Sequence, residues 1–473
     1  MDIKKSCAVI LAAGDGKRMR SRYPKAMCQV LFKPMISWVT DWCRAAGIED
    51  ICVVTGNGGE FIKKVLPDGV QTTEQAERKG TGHAVMMAKE FLRKHSGANV
   101  IVLCADAPFV DSDVIGQSFK DHSESGAAVT VITAQLDDPK GYGRIVRGEN
   151  GLLQGIVEHR DATEEQLKIN EINSGSYWFN ADFLLSALDE LTCENAQGEY
   201  YLTDTVKIAV SKGEKAAACL WEDSSISLGA NDRAGLLKLN RIAGQKVLDR
   251  LMGEGVNFYC TDGVVISPDA VIGADTTIGP NTVIKGKTTI GSGCVIEGGC
   301  IIENSTIGDD CEIYSSMLEQ SFVGNGVRIG PNAHLRPKTV LKDGVKVGNF
   351  VEVKNSVVGE KTSLAHLTYI GDTDIGCHVN VGCGTAVANY DGVNKYRTEI
   401  EDFAFIGCST VLVSPVKVGK GAYTGAGSVI TQDIPQDALA VARAKQSNID
   451  GWAERWRKKN NWQEYFEKKN PKK

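Results

Sequence analysis

An isoleucine recurs at every sixth position through the middle of this 473-residue chain. An α-helix turns by about 100° per residue, so side chains six positions apart would be spread over three separate stripes of a helix. In a β-strand they share one face, because side chains alternate with a period of two. The spacing therefore predicts short strands wound around a stacked core, a β-helix of hexapeptide repeats. The repeated residues are Ile266, Ile272, Ile278, Ile284, Ile290, Ile296 and Ile302.

Turn-forming residues between the isoleucines indicate where each strand ends. Gly, Pro, Asn and Asp separate the strands and would turn a corner before the next isoleucine. Three hexads per coil would give a prism of triangular cross-section, and the pattern continues less strictly through Val323, Ile329, Leu335, Ile406, Leu412 and Val418. A small residue stands four positions after each isoleucine, and on this pattern we interpret Cys294 and Cys300 as inward-facing side chains. These small residues are Ala270, Thr276, Thr282, Thr288, Cys294, Cys300 and Thr306.

The first 230 residues have a different organisation. Apolar, strand-like runs alternate with amphipathic, helix-like segments, which predicts a mainly parallel, doubly wound α/β sheet of the Rossmann-like kind. The strand-like runs are 8–11, 51–54, 100–103 and 129–132, and the helix-like segments are 34–46 and 85–94. Residues 233–252 have helical spacing and predict a connecting helix. We expect an α/β domain over residues 1–233, a helical linker over 234–254, and a β-helix with a C-terminal tail over 255–473.

The composition excludes several classes of protein. With 53 Lys and Arg against 59 Asp and Glu, the formal charge of −6 creates no field that would attract nucleic acid or an anionic membrane. No apolar run approaches the roughly 18 residues of a membrane-spanning helix, and the N-terminus lacks the pattern of a signal peptide. The 14 cysteines include no C-x-x-C pair, which argues against a zinc site or a disulfide scaffold. We therefore expect a cytoplasmic protein, with a frayed basic end at Pro471-Lys472-Lys473.

A glycine-containing loop follows the first predicted strand directly. In the segment Ala12-Ala13-Gly14-Asp15-Gly16-Lys17-Arg18-Met19, the glycines would let the backbone approach phosphate groups and point its N–H groups at them. The dinucleotide-binding fingerprint would need a glycine at Met19, and the Walker pattern is absent. Arg18 and Lys25 place two cations shortly after the loop. The segment therefore predicts a phosphate-binding loop.

These residues resemble the signature of the sugar-1-phosphate nucleotidyltransferases. The match comprises Leu11-Ala12-Ala13-Gly14-x-Gly16-x-Arg18 with Pro24-Lys25, and segment 75–84 is similar to the base-recognising segment of the uridylyl-transferring members. Further matching segments are 141–145, 156–159, 171–175 and 229–233. Together with the hexapeptide half, nearly the whole chain resembles the bifunctional uridylyltransferase–acetyltransferases that make UDP-N-acetylglucosamine. That resemblance implies a left-handed β-helix and a homotrimer.

For the first domain, the resemblance implies transfer of UMP from UTP to N-acetylglucosamine-1-phosphate, with release of pyrophosphate. Arg18 and Lys25 would act on the phosphates, and Asp106 and Asn231 would hold Mg²⁺. Gln75 and Thr81 would recognise the uracil. The residues implied to bind UTP and the sugar nucleotide are Leu11, Ala12, Ala13, Gly14, Lys25, Gln75, Gly80, Thr81, Cys104, Ala105, Asp106, Gly143, Glu158, Asn173 and Asn231, of which Gly143, Glu158 and Asn173 would hold the N-acetylglucosamine.

For the β-helix, the resemblance implies acetyl transfer from acetyl-CoA to glucosamine-1-phosphate. The hexads break at 364–372 and at 388–399, and we expect the second break to leave the coil as a loop. His366 would take a proton from the sugar amine, since an imidazole with a pKa of roughly 6.5 suits that role. The residues implied to hold glucosamine-1-phosphate are Arg336, Lys354, Tyr369 and Asn380. Those implied to hold acetyl-CoA are Cys383, Asn389, Tyr390, Lys395, Cys408, Ala426 and Arg443.

Three sites depart from the family pattern. Lys17 stands where Thr is usual, Cys104-Ala105 stands where Tyr-Gly is more usual, and Cys408 stands where Ser is common. We interpret Cys408 as a conservative replacement and not as a nucleophile, because direct acetyl transfer needs no acyl-enzyme.

Two other functions stay open at this level. The chain could be a nucleotidyltransferase whose β-helix only forms oligomers or senses effectors, as in the ADP-glucose-forming relatives. The segments 366–372 and 389–395 argue against that reading. It could also be a regulatory relative of the exchange-factor subunits of translation initiation. Those subunits typically lose the cations of the phosphate loop, whereas Arg18, Lys25 and Asp106 are all present here.

Overall fold

The computed structural model describes residues 2–14, 16–149 and 151–469, with the side chain of Lys17 left outside that description. Two compact units are present. The first holds the chain up to Val256 with residues 262–271 and 283–288, and the second holds residues 257–261, 272–282 and the chain from Thr289 onward. The domain boundaries expected after residues 233 and 254 stay a prediction.

A nine-stranded, mainly parallel sheet forms the centre of the first unit. In chain order, the strands up to Trp221 are β1 (Cys7–Ala12), β2 (Gln29–Val30), β3 (Lys33–Pro34), β4 (Asp50–Thr55), β5 (Gln71–Glu74), β6 (Asn99–Cys104), β7 (Val129–Gln135), β8 (Arg144–Arg147), β9 (Leu153–Val157), β10 (Glu171–Asn180) and β11 (Ala216–Trp221). The sheet order is β11-β7-β10-β6-β1-β4-β5, with β8 and β9 attached to β10, while β2 and β3 form a separate ribbon. Strand β10 is antiparallel to β6 and β7, and the remaining pairs along this order are parallel. The four predicted strands are therefore confirmed.

Helices cover both faces of this sheet. They are α1 (Met35–Ala45), α2 (Gly59–Lys63), α3 (Thr81–Met86), α4 (Lys89–Lys94), α5 (Ser112–Ser125), α6 (Ala181–Glu190), α7 (Asp204–Ser211) and α8 (Arg233–Gly253). Alternate residues of β1 point to opposite faces, so Val9 lies in one apolar core with Leu92 of α4, and Ile10 lies in the other with Ile36 of α1. The doubly wound α/β fold is confirmed.

The helix expected over residues 85–94 is in fact two short helices, and this expectation was wrong in its bounds. Helix α3 ends at Met86 and α4 begins at Lys89, with Ala88 in a non-helical conformation between them. The Thr73 hydroxyl donates to the Met87 carbonyl at 3.0 Å, so a strand side chain stabilises the break. The connecting helix expected over residues 233–252 is α8, whose first turn is capped by the Asp232 carboxylate.

The chain beyond α8 winds into parallel strands that stack in three sheets. Sheet I contains Asn257–Phe258, Thr277–Ile278, Val295–Ile296, Glu312–Ile313, Arg328–Ile329, Lys346–Asn349, Ser363–His366, Asn380–Val381, Phe405–Ile406, Tyr423–Thr424 and Leu439–Ala440. Sheet II contains Val265–Ile266, Val283–Lys285, Ile301–Glu303, Met317–Glu319, His334–Leu335, Glu352–Lys354, Tyr369–Gly371, Ala386–Ala388, Val411–Val413 and Val429–Ile430. Sheet III contains Val271–Ile272, Thr289–Ile290, Thr306–Ile307, Phe322–Val323, Val340–Leu341, Val357–Val358, Thr373–Ile375, Thr398–Ile400 and Lys417–Val418.

The repeated isoleucines form the core of this coil, as predicted. All seven are at most 3% exposed, and Ile278 lies beside Ile296 of the next coil in the parallel ladder. Cys294 and Cys300 are fully buried, which confirms that both face inward. Later predicted core residues, from Val323 to Val418, are also buried. Corners between strands use left-handed backbone, for example at Asn281 with φ of 56°.

Two details of the hexad pattern needed correction. Thr306 does not fill a small inward position: it is exposed, and Ser305 is buried instead. The reason is that the spacing shortens from six to five between Ile302 and Ile307, which shifts the alternation by one residue. The break expected at 364–372 is also wrong, because Leu364 and Ile370 are both buried within regular strands.

The break expected at 388–399 is confirmed as a loop that leaves the coil. Val393 at its tip is 83% exposed, and Tyr390 and Lys395 form an isolated antiparallel bridge across its base. The strands on either side remain in register, since Val381 still pairs with Ile406.

The C-terminal segment forms two exposed helices, α9 (Trp452–Lys459) and α10 (Trp462–Lys469). The predicted frayed end at Pro471–Lys473 lies outside the described residues. Within the described ranges, no helix combines the length and the apolar character that crossing a membrane would require.

The stacked core predicts a strong contrast between inward and outward aliphatic residues of the coil. Replacing the fully buried Ile296 by Ala leaves a cavity and should lower the free energy of unfolding by about 2–5 kcal/mol. Replacing Val271, which is 58% exposed, by Ala should change it by less than about 0.5 kcal/mol. Chemical denaturation of the two variants checks this, and equal losses would contradict a stacked isoleucine core.

Burial of His122 predicts a pH dependence of stability. Its ring accepts or donates a 2.8 Å hydrogen bond with the Thr130 hydroxyl and stacks on Trp178, and burial lowers its pKa to about 4. The unfolded chain therefore binds more protons below pH ~6.5, so stability is lost as pH falls from ~6.5 to ~4, by roughly 3 kcal/mol in total. Denaturation of His122→Gln between these pH values should show a shallower slope than the unmodified protein; an unchanged slope would refute the assignment.

Candidate functional site

A cavity of about 240 Å³ opens at the carboxyl end of the parallel sheet in the first unit. Strands β1 and β6 are neighbours and end together there, since Leu11 pairs with Cys104. Open α/β sheets bind ligands at this edge. The cavity is lined by Leu11, Ala12, Ala13, Gly14, Lys25, Ala26, Gln75, Arg78, Gly80, Thr81, Ala84, Cys104, Ala105 and Asp106. The sequence-predicted residues of three separate segments are therefore brought together, and Ala26, Arg78 and Ala84 are lining residues that the prediction missed.

Lys25, which lines this cavity, joins two of the predicted polar residues. Its ammonium donates a very short hydrogen bond to the Asp106 carboxylate and a 2.8 Å bond to Oδ1 of Asn231. Lys25 and Asp106 are only 14% and 27% exposed, so water screens this pair weakly. Gly16 has a φ of 56°, and a Cβ there would lie 2.8 Å from Cβ of Lys25. A side chain at position 16 would therefore push Lys25 away from the two oxygens.

The Asp106 and Asn231 oxygens fit a magnesium ion. Both are hard oxygen donors, and both reach the same cationic nitrogen, so they can reach one metal ion. Within the described ranges, no group of three or more His, Cys, Asp and Glu is arranged to hold a metal. Two protein ligands nevertheless suit Mg²⁺, which commonly keeps several waters and binds substrate phosphates.

Gln75 and Thr81, which we expect to recognise the base, are held in place by neighbouring groups. Nε2 of Gln75 donates to the Gly80 carbonyl at 3.1 Å and lies 3.0 Å from Nδ1 of His83. The Thr81 hydroxyl accepts from the Leu202 amide at 3.1 Å. Burial lowers the pKa of His83, which favours a neutral ring. His83 thus orients Gln75, a role that only its position in the same segment as Gln75 could have suggested.

Gly143, Glu158 and Asn173 also come together. A Cβ at Gly143 would lie 3.5 Å from Oε1 of Glu158 and 3.6 Å from Cβ of Asn173, so the glycine keeps this space open. Nδ2 of Asn173 donates to the Tyr177 hydroxyl at 2.6 Å, and Oδ1 of Asn173 accepts from the Gly175 amide at 2.9 Å. Tyr177 had not been predicted.

Glu158 lies in a second cavity of about 160 Å³ with several carboxylates. Burial raises the pKa of Glu158 above its usual value, and the nearby charges of Asp161 and Asp204 add to that rise. The Thr203 hydroxyl lies 3.5 Å from Oε1 of Glu158. A half-buried carboxyl group with neighbouring carboxylates suits contact with sugar hydroxyls better than contact with a phosphate.

One sequence-predicted residue, Arg18, stands apart from the cavity, whereas the departure at Cys104 lies in its lining. Arg18 is exposed on the short helical turn Lys17–Met19 and does not line the cavity. At the Cys104 departure, burial raises the pKa of the thiol to about 12, with the Asp106 charge adding to the rise, so this cysteine stays protonated. Its sulfur lies 3.6 Å from the Gly175 carbonyl.

In the second unit, four predicted residues lie in one column at a corner of the coil. Leu364 pairs with Val381 and Val381 with Ile406, which places His366, Cys383 and Cys408 two residues further along each strand. The Gly427 amide donates to the Cys408 carbonyl at 2.8 Å, and this continues the column to Ala426. Nη1 of Arg443 donates to the Ala426 carbonyl at 2.7 Å. The corner column therefore contains His366, Cys383, Cys408 and Ala426, with Arg443 at its end.

Cationic side chains cluster on sheet II. The pKa of Lys354 is lowered first by direct contact with Lys395 and its charge, and then by the charge of Arg336. Three neighbouring cations, of which Arg336 is paired with Glu352, form a site for an anion such as a phosphate. Nη1 of Arg336 also donates to Glu352 at 2.8 Å, and Glu352 was not predicted. The loop 388–399 brings Lys395 back to this cluster.

Tyr369 and Asn389 meet beside the same sheet. A Cβ at Gly371 would lie 2.5 Å from the Tyr369 hydroxyl and 2.8 Å from Nδ2 of Asn389, so only glycine leaves room for both. Asn389 donates to the Asp372 carboxylate, and Asn355 donates to its other oxygen. Asp372 closes the predicted segment 366–372, so its position in that motif was the available signal.

The last two predicted residues of the coil are exposed. Asn380 lies on the outer face of sheet I, where it pairs with Ser363 of the strand that ends at His366. Tyr390 lies in the loop, with its hydroxyl donating to the Gly392 carbonyl at 2.5 Å.

Two family models match the chain, one for each kind of architecture. A model described as nucleotidyl transferase matches residues 7–228, and a model described as the EIF2B subunit epsilon LbH domain matches residues 255–353. LbH denotes the left-handed β-helix, so the predicted handedness is confirmed. The fold and the cavity together define an α/β nucleotidyltransferase joined to a left-handed β-helix.

Curated relatives match over almost the entire chain. The protein named "Bifunctional protein GlmU" from Halalkalibacterium halodurans is 45% identical over 96% of this chain and 99% of its own length. Those of the same name from Acetivibrio thermocellus and an Exiguobacterium species are 45% and 46% identical over 94% and 95% of this chain, and 96% and 99% of their own lengths. The chain belongs to the family of bifunctional GlmU proteins.

The cationic cluster on sheet II predicts a measurable coupling between its members. Replacing Lys395 by Ala removes the largest cause of the lowered pKa of Lys354, so that pKa should rise. Replacing the exposed Lys346 of the neighbouring sheet I by Ala serves as the control and should leave it unchanged. NMR titration of ¹³C-methylated lysines reads both values. A Lys354 pKa that stays constant or falls in Lys395→Ala would show that the cluster is not formed in solution.

Proposed function

We propose that the chain makes UDP-N-acetylglucosamine in two steps, each in its own unit. The coil acetylates glucosamine-1-phosphate with acetyl-CoA, and the α/β unit then transfers UMP from UTP to the product, releasing pyrophosphate. Membership of the bifunctional GlmU family over nearly the whole chain supports two activities. The observation that carries the first activity is that Lys25, which lines the phosphate-loop cavity, contacts both Asp106 and Asn231.

In the nucleotidyl transfer, an oxygen of the sugar phosphate attacks the α-phosphorus of UTP and pyrophosphate leaves. The reaction needs no nucleophilic side chain, so catalysis consists of positioning the phosphates and neutralising their charge. Lys25 neutralises phosphate oxygens at the cavity floor, and the backbone N–H groups of 12–14 bind them from the loop. Arg18, exposed on its turn, acts on the outer phosphates. Asp106 and Asn231 would hold Mg²⁺, which supplies further charge neutralisation on the phosphate oxygens.

Recognition of the substrates is divided along the cavity. Gln75, held by His83 and by the Gly80 carbonyl, reads the uracil together with Thr81. The backbone of Cys104-Ala105 lies against the uridine. Gly143, Glu158 and Asn173 hold the N-acetylglucosamine, and the close approach of the three residues supports this assignment.

In the acetyl transfer, the amine of glucosamine-1-phosphate attacks the thioester carbonyl of acetyl-CoA. His366 takes the proton that the amine loses, and the CoA thiolate leaves and is protonated. The sugar phosphate binds the cationic cluster of Arg336, Lys354 and Lys395. Tyr369 and Asn380 contact the sugar.

The acetyl donor lies along the corner column in this proposal. Cys383, Cys408 and Ala426 follow His366 on successive coils, and Arg443 extends the strip. A donor along this strip would place its thioester near the imidazole. In this proposal, Asn389 and Tyr390 contact the acetyl donor from the side of the loop.

The assembly, the metal and the location are parts of the same proposal. We propose a homotrimer formed through the coil, supported by outward aromatic side chains such as Phe350, Phe405 and Tyr423 that a neighbouring copy could cover. We propose Mg²⁺ as the divalent ion. We place the enzyme in the cytoplasm, where UTP and acetyl-CoA are formed and used.

Two substitutions test the division of labour. Asp106→Ala removes a charge from the cavity floor and should lower uridylyl transfer by about 10²–10³-fold while acetyl transfer persists. His366→Ala removes the proton acceptor and should lower acetyl transfer by about 10²–10⁴-fold while uridylyl transfer persists. One assay follows free thiol from acetyl-CoA with glucosamine-1-phosphate, and the other follows pyrophosphate from UTP with the acetylated sugar.

A surface substitution, Cys193→Ser, is the control, because Cys193 is exposed and outside both sites. It should leave both activities intact. Loss of both activities in either active-site variant would overturn the two-site assignment. No acetyl transfer in the unmodified protein would instead favour a coil that only forms oligomers.

A further inference from the structure

Cys383 and Cys408 are direct neighbours on successive coils. Their strands are in register at Val381 and Ile406, and each cysteine follows two residues later. Beyond the strands the ladder continues, since the Gly382 amide donates to the Ile406 carbonyl at 2.8 Å and the Ser409 amide to the Cys383 carbonyl at 2.7 Å. The two cysteines therefore occupy equivalent positions at the same corner.

Their spacing suits a disulfide bond. Adjacent strands lie about 4.8 Å apart. A disulfide joins Cα atoms roughly 4.4–6.8 Å apart. Both residues are free cysteines, Cys383 partly exposed and Cys408 exposed, so a small reagent can reach the pair.

The other cysteine pair on successive coils lies inside the core. The Cys311 amide donates to the sulfur of Cys294 at 3.4 Å, and both residues are fully buried. Cys377 is partly exposed like Cys383, but its neighbour on the next coil is Asp402, whose carboxylate accepts from the Cys377 amide at 2.8 Å. Among the described cysteines of the coil, the buried pair Cys294 and Cys311 is an internal control for accessibility. Cys377 is an internal control for pairing, because it has no cysteine beside it on the next coil.

We propose that Cys383 and Cys408 form a redox-sensitive dithiol whose oxidation to a disulfide stops acetyl transfer. The pair lies next to His366 in the corner column. A sulfur–sulfur bridge there would occupy the part of the column that the acetyl donor needs. This consequence rests on the proposed function, whereas the pairing rests on the coil register alone.

The oxidant is a low-molecular-weight disulfide, of which oxidised CoA is one example. The thiolate of Cys408 attacks one sulfur of that disulfide, forming a mixed disulfide and releasing one thiolate, which takes up a proton. The thiolate of Cys383 then attacks the sulfur of Cys408 and releases the second small thiol. Two protein thiols lose two electrons and two protons, and the small disulfide becomes two thiols.

The test incubates the full chain with oxidised glutathione, removes the reagent, maps the cysteines by mass spectrometry and measures both activities. We expect a cross-linked Cys383–Cys408 peptide pair, with Cys294 and Cys311 still reduced. Acetyl transfer should fall in proportion to the cross-linked fraction and return with dithiothreitol. Uridylyl transfer should be unchanged.

Variants separate this pair from other thiols. Neither Cys383→Ser nor Cys408→Ser should form the cross-link. Relative to its own fully reduced activity, neither variant should show a loss of acetyl transfer that follows a cross-linked fraction. Cys377→Ser should behave as the unmodified protein does. Glutathione adducts without a cross-link, or a cross-link that leaves acetyl transfer intact, would overturn the proposal. Absence of acetyl transfer in the fully reduced protein would overturn the proposed function, and the peptide map alone would then decide the pairing.

Discussion

The hydrogen-bonded ladder between successive coils is the constraint on which the second half of the molecule depends. A coil, which is sixteen to eighteen residues long except where it carries the loop, cannot bury its own isoleucines, so each coil uses the next as its core neighbour and its hydrogen-bond partner. The same ladder brings residues that are one coil apart in sequence into a single column. His366, Cys383, Cys408 and Ala426 are neighbours for that reason alone, and the proposed acetyl-donor strip is a by-product of how the core is stabilised.

In the proposed function, the two units bind phosphate charge in different ways. In the α/β unit, Lys25 is largely buried and shares its charge with two oxygens, so an incoming phosphate or metal ion must exchange with contacts already made. On the coil, Lys354 and Lys395 repel one another in an open position, and a bound anion would relieve that repulsion. The first arrangement suits a reaction that must discriminate among several phosphates. The second suits simple retention of one sugar phosphate.

Much of this organisation could be predicted from the sequence, and the failures have identifiable causes. The isoleucine period predicted the coil because it reports burial directly, and Asp106 could be placed because it follows a buried strand. Thr306 faces outward because the step from Ile302 to the next core residue, Ile307, is five residues instead of six. Residues 364–372 seemed to interrupt the repeat, yet Leu364 and Ile370 keep the period of six.

Contacts that form only in the folded chain could not be predicted from the sequence. The break between α3 and α4 is stabilised by Thr73 from a strand, and Lys395 reaches Lys354 only because a loop returns to the coil. Glu352 likewise binds the predicted residue Arg336 from the next coil. Residue types and local spacing do not identify such partners. The comparisons with relatives show the family, whereas the roles of individual side chains rest on the geometry described above.

The loop at 388–399 has a consequence for how a protein of this kind can change. It lengthens one coil to the 25 residues from Val381 to Ile406, while the strands before and after it remain in register. A single residue inserted within a strand would turn the inside of the coil outward, but a long segment inserted at a corner leaves every column intact. Corners are therefore the positions at which new binding loops can be acquired without refolding the scaffold. The coil can acquire a new binding site in this way while its core stays the same.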